Sequence, residues 1–171
     1  MNNTEKLALA LILLGVLSRL IPHPPNVTAV VGVSLLAAYA IRNRWLAALI
    51  PVAVMALADV VLGWHHTMLF TYGGMLCAFA VGHWLLSRLS APRLVGAAFL
   101  SSLAFFLISN FGVWLGGYYG PGLEGLIACY TAAIPFFGNS LVGDLGSTAI
   151  LFGLYLVARR HAGPQPHPEL T

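Results

Sequence analysis

Four polar side chains stand out in a chain otherwise poor in them: Arg19, Asp59, Asn110 and Asp144, each embedded near one end of a different apolar stretch. A carboxylate or guanidinium inside an apolar helix is costly unless it is paired or lines a wet cavity, so such residues mark function or a structural lock. The simplest pairing sets Arg19 against Asp59, Asp144 or both, with Asn110 as a hydrogen-bonding bridge. The same four groups could instead form the floor of a ligand pocket. A lock needs only the charges, whereas a binding site also needs flat apolar faces with a few polar anchors. His23, Asn26, Trp114, Tyr118, Tyr130 and Asn139 fall at the same ends of their segments and supply such faces and anchors.

Other chemistry is thinly represented. His65 and His66 are adjacent, a poor arrangement for one metal ion, and no His-Glu-x-x-His string accompanies them. There is no Gly-x-Ser-x-Gly elbow and no phosphate-cradling glycine loop. Enzymatic function is not expected, and neither is a resident cofactor or metal. Cys77 and Cys129 read as small apolar residues rather than a disulfide framework, the alternative for Cys77 being a soft ligand to a cobalt-containing substrate.

The elements that must position these groups are apolar helices. Hydrophobic residues make up 59% of the chain and charged residues 8%, where a soluble domain carries about 25% charged. Six apolar stretches alternate with short polar breaks, and seven of the eight Lys and Arg residues fall in every second break. Lys6 precedes the first stretch, Arg42 and Arg44 follow the second, Arg88 and Arg93 the fourth, and Arg159 and Arg160 the sixth; only Arg19 lies elsewhere. Basic residues beside membrane helices stay cytoplasmic, which predicts six transmembrane helices with both termini inside. The net charge of +3 is then an orientation signal and no nucleic-acid footprint. Leu7 to Leu17 resembles the apolar core of a signal peptide, but no small-x-small cleavage site follows, so a retained first helix is expected.

The expected spans are Glu5–Ile21, Val27–Ile41 (short for a full crossing), Trp45–Gly63, Met68–Ser87, Arg93–Gly116 and Ser140–Ala158. Pro22, Pro24 and Pro25 close the first, since proline cannot continue the hydrogen-bond ladder. Between the fifth and sixth spans, Leu123 to Ile134 reads as a short interfacial helix ended near Pro135, able to act as a lid. Residues 1–160 form a single transmembrane domain in this reading, and the proline-rich 161–171 segment a disordered cytoplasmic tail.

Specific strings add a resemblance. Arg19-Leu-Ile-Pro-His-Pro-Pro-Asn26-Val-Thr28, Ala58-Asp59-x-x-x-Gly63, Ser109-Asn110-x-x-x-Trp114, Ala133-Ile-Pro-Phe-Phe137 and Asn139-x-x-x-Gly143-Asp144 together resemble a family of small bacterial membrane proteins described as transport proteins. That family is similar to the substrate-binding S components of energy-coupling factor (ECF) vitamin transporters. The resemblance implies an all-α, six-helix integral membrane protein of the bacterial inner membrane, with a pocket open to the outer face for a vitamin- or cofactor-like molecule. It also implies either an ECF coupling subunit with ATPases as partner, or uptake by the protein acting alone. One departure stands out: S components carry small residues at i, i+4 in the first helix for docking, and here Ala8 is followed by Ile12 and Ala10 by Leu14. The alternative expectation is an accessory or assembly subunit that uses the same face to hold a partner protein. A weaker one is an intramembrane enzyme with Asp59 or His23 as proton carrier.

Overall fold

The computed structural model describes residues 2–161 as six α-helices: α1 (Asn3–Leu20), α2 (Val30–Ala40), α3 (Arg44–Leu62), α4 (Met68–Leu85), α5 (Ala91–Leu115) and α6 (Gly122–His161). The tail expected to be disordered lies outside the described residues, apart from His161, which closes α6. Local chemistry explains most boundaries. Asn2 and Glu5 form a reciprocal capping box on α1. Asn43 accepts from the Trp45 and Leu46 amides, 3.0 and 3.1 Å away, and so starts α3. Gly63 stops α3 at a φ of +98°, where a side chain would be strained.

Four of the helices, α3 to α6, are long and apolar enough to cross a membrane. Their outward faces carry large apolar side chains in the open, among them Val60, Val61, Leu69, Val142 and Ile150. A water-soluble surface rarely tolerates that much contiguous apolar area, whereas lipid requires it. The chain is an all-helical membrane protein.

The helix α2 is the hub. It touches every other helix, and eight consecutive residues, Val30 to Ala37, are buried. A helix that is apolar all round belongs in a core. Two glycines let neighbours close on it: a Cβ on Gly32 would come within 3.0 Å of the Thr148 amide of α6, and one on Gly82 of α4 within 3.3 Å of the Leu35 Cα. Eleven residues at about 1.5 Å each make α2 roughly 16 Å long, about half of a hydrocarbon core. The expected span from Val27 is therefore shorter still, because residues 21–29 form a loop ahead of α2.

The sixth element departs most from expectation. No separate interfacial helix covers Leu123–Ile134; that segment is the first part of α6, which runs unbroken through Pro135. Proline costs one backbone hydrogen bond and crowds the preceding turn, yet a helix held by tertiary packing on both sides survives it. Phe106 of α5 provides that packing, meeting the Tyr130 ring at 5.6 Å and the Phe137 ring at 4.8 Å, on either side of Pro135.

Candidate functional site

The loop between α1 and α2 is built by its own sequence. Val27 donates its amide to the Pro24 carbonyl (3.0 Å), with Pro25 and Asn26 at the corners and Asn26 at a φ of +64°. Proline at the first corner and a left-handed Asn at the second specify a type II turn. Ser18 then pins the loop to α1: its Oγ donates to the Gly15 carbonyl (2.7 Å) and accepts from the Ala29 amide (3.1 Å). On the far side Val27 lies against Gly143, where a Cβ would meet the Val27 Cα at 3.1 Å. Gly143 thus admits the loop beside Asp144, which accounts for the pairing of those two residues in the sequence.

Arg19 and Asp59 form an ion pair, with Arg19 Nη2 2.8 Å from Asp59 Oδ1. The contact is off the hydrogen-bond axis, so charge attraction rather than directed bonding holds it. Asp59 is 1% exposed and accepts from the Tyr72 hydroxyl at 3.0 Å through its other oxygen. His65 Nε2 stands 3.9 Å from that oxygen. Arg19 Nη1 turns to Met55, 3.1 Å from Sδ and 3.4 Å from the carbonyl oxygen. The pair is therefore held by groups from α1, α3 and α4.

Asp144 is differently placed. It is 4% exposed and accepts a 2.6 Å hydrogen bond from the Ser102 hydroxyl of α5, but among the described residues no Lys, Arg or His comes within ion-pairing distance. Arg19 is committed to Asp59 alone. One turn further along α6 the Thr148 hydroxyl, 2% exposed, has no partner.

Between these groups lies a cavity of about 200 Å³. Every helix contributes to its wall: Arg19 from α1, Val30 and Val31 from α2, Met55 from α3, Thr71 and Met75 from α4, Phe105 from α5, and Ser140 and Asp144 from α6. Asn26, Thr28 and His65 close it from the loops. A second space of about 80 Å³ adjoins it, sharing Asn26, Phe105 and Ser140 and adding Ser109 and Asn110. The first turn of α2 carries no side-chain cap, and its Val30 and Val31 line the cavity. The site thus sets the Asn26 side chain in one wall with a buried carboxyl, and Phe105 supplies an apolar side chain to the same wall. Such an arrangement holds a small polar molecule by several weak contacts at once.

Of the residues singled out in the sequence, Arg19, Asn26 and Asp144 line the main cavity. Asp59 stands behind Arg19 rather than in the wall. Asn110 is no bridge: its Nδ2 donates to the Phe106 carbonyl on its own helix (2.8 Å), and it borders only the smaller space. The others are elsewhere. His23 is exposed and bonded to the Pro24 carbonyl (2.8 Å). Trp114 packs on Phe111. Tyr118 stacks on His66 and hydrogen-bonds to it at the exposed rim. Tyr130 donates to the Leu107 carbonyl (2.6 Å). Asn139 is displaced by its neighbour Ser140, since adjacent helical residues point about 100° apart. Cys77 is exposed on the outside of the bundle and borders neither space, so it does not reach toward a cavity-bound metal. Ser102, Thr71, Tyr72, Phe105 and Ser140 were not singled out beforehand. Tyr72 carried a signal, because it and Asp59 lie at similar separations on either side of the α3–α4 turn, as facing positions of a helical hairpin do.

An all-helical membrane bundle whose six helices border one small, largely apolar cavity with a buried carboxyl in its wall is the class that fold and site define. The chain belongs to a family of unknown function, DUF6580, whose model matches residues 1–168. No curated protein and no solved structure matches it.

Proposed function

We propose that this chain is a small-molecule uptake protein of the bacterial inner membrane, six-spanning with both termini in the cytoplasm, that binds a vitamin- or cofactor-like substrate in the cavity beside Asp144. The observation that carries the reading is the Asp144 carboxylate, buried at 4% exposure, without a cation, in the wall of a space to which all six helices contribute. A purely structural lock is complete in Arg19, Asp59 and Tyr72 and gives no reason for a second carboxylate facing a void. With the basic breaks inside, the 21–29 and 63–67 loops face outward and the cavity is loaded from that side. The short α2, which starts beside the cavity without a side-chain cap, fits the way broken membrane helices present backbone donors to a substrate. These features support the reading as an S-component-like carrier, working with a coupling subunit and ATPases or alone.

The test is reconstitution into proteoliposomes, incubation with a polar metabolite extract, washing, and analysis of the retained solutes by mass spectrometry. Enrichment of one solute in near-stoichiometric amount over protein-free vesicles is the expected result. A preparation that retains no solute and instead carries one stoichiometric protein partner from its membrane establishes the accessory-subunit reading.

A further inference from the structure

Resting on the cavity as a binding site, we infer that its occupant carries a cationic nitrogen, and that this group is held by Asp144. The argument is a balance of charge. Arg19 is the one permanently charged cation in the wall, and its guanidinium is committed: Nη2 to Asp59 Oδ1 at 2.8 Å and Nη1 to Met55. His65 faces Asp59 at 3.9 Å, on the same side as Arg19. The Arg19–Asp59 pair is neutral as a unit, which leaves Asp144 as the carboxyl of the cavity without a protein cation beside it. Its Oδ2 accepts from Ser102 at 2.6 Å, and Ser102 Oγ also contacts the Ala98 carbonyl at 2.9 Å, so this hydroxyl orients the carboxylate without neutralising it.

A carboxylate kept away from water and from any protein cation is stabilised by whatever positive group enters beside it. Phe105 is in the same wall and offers the aromatic face that an ammonium or cationic heterocycle also seeks. Size narrows the class further. A space of about 200 Å³ is below the range of roughly 300–1,000 Å³ that encloses drug-sized ligands. The fitting occupant is a small amine or nitrogen heterocycle, whose neutral acceptors are met by the Asn26 amide. A large polyanionic cofactor is excluded on both counts.

The experiment divides a polar metabolite extract on a strong cation exchanger at low pH into bound (amines and cationic heterocycles) and flow-through (acids and neutral solutes) fractions. Each fraction is added to the purified wild-type protein and to Asp144→Asn, and thermal stabilisation in detergent is read alongside intact-complex mass. The expected result is stabilisation of the wild type by the cation fraction, with affinity reduced by roughly thirtyfold or more in Asp144→Asn. Ser140→Phe, which fills the space beside Asp144 and leaves the carboxylate in place, loses the same response and serves if Asp144→Asn does not fold. Stabilisation by the flow-through fraction alone overturns the inference and leaves the cavity a binding site. Equal stabilisation of wild type and Asp144→Asn by the cation fraction overturns the role of Asp144. No response to either fraction overturns the binding site itself, and the inference with it.

Discussion

Asp59 and Asp144 are both buried carboxylates, yet the structure assigns them opposite energetic roles, and substitution separates the two. Asp59→Ala strands the Arg19 guanidinium in a site where its side chain is 15% exposed. Removing one member of a buried ion pair costs about 3–5 kcal/mol, because the remaining charge is left desolvated without a partner. In a chain of this size that corresponds to a fall in Tm on the order of 10 °C, by the scaling established for soluble domains. Asp144→Asn strands no cation, since none is paired with it, and the amide oxygen can still accept from Ser102. Its Tm stays within about 2 °C of the wild type or rises, because an uncompensated charge has been removed. The double variant Arg19→Met with Asp59→Leu recovers most of what Asp59→Ala loses. The assay is thermal unfolding in a mild detergent, followed by light scattering and by intrinsic fluorescence. If Asp144→Asn falls as far as Asp59→Ala, both carboxylates serve as locks and the distinction drawn from their partners is refuted.

Three further outcomes are expected. Tyr72→Phe removes the 3.0 Å bond to Asp59 and costs about 1.5–3 kcal/mol, as for a hydrogen bond to a charged group; a double-mutant cycle with Asp59→Ala shows the two losses to be non-additive. Gly32→Val drives a side chain against the Ser147 Oγ and the Thr148 amide, both within 3.0 Å of the new Cβ, and lowers stability by about 1–3 kcal/mol or more through α2–α6 separation, read as the unfolding midpoint. In intact vesicles a small maleimide labels neither Cys129, which is buried, nor Cys77, which faces lipid at the middle of α4, so intact mass shows two adducts only after unfolding.

The helices were legible because membrane segments write themselves as apolar runs between breaks, and the observed starts and ends of α1, α3, α4 and α5 lie within about two residues of those expected. The Arg19–Asp59 pair was legible for a related reason: opposite charges near the same end of neighbouring apolar segments have few other partners. What escaped the sequence depends on packing. That α2 begins at Val30 is decided by a turn at Pro24–Val27 and the Ser18 anchor, neither visible in hydropathy. Pro135 reads as a stop, but the Phe106 contacts on both sides of it carry α6 through. With α6 starting at Gly122, Asp144 is far from its first turn, and its neighbours on α5 are Ser102 and Phe105 rather than Asn110. The aromatic residues expected as ligand contacts were chosen for lying at the same end of the chain's segments. Being at one end does not fix the facing direction: Tyr118 and Tyr130 are spent on partners of their own, and the Trp114 ring packs on Phe111 outside the main cavity.

The central claim is that the space beside Asp144 holds a small molecule. Native mass spectrometry of the wild-type chain and of Ser140→Phe, both extracted gently from the membrane in which they were made, tests it most directly. The account predicts one small-molecule adduct on the wild type, released on activation, and none on Ser140→Phe. Identical spectra for the two, with or without an adduct, would contradict it.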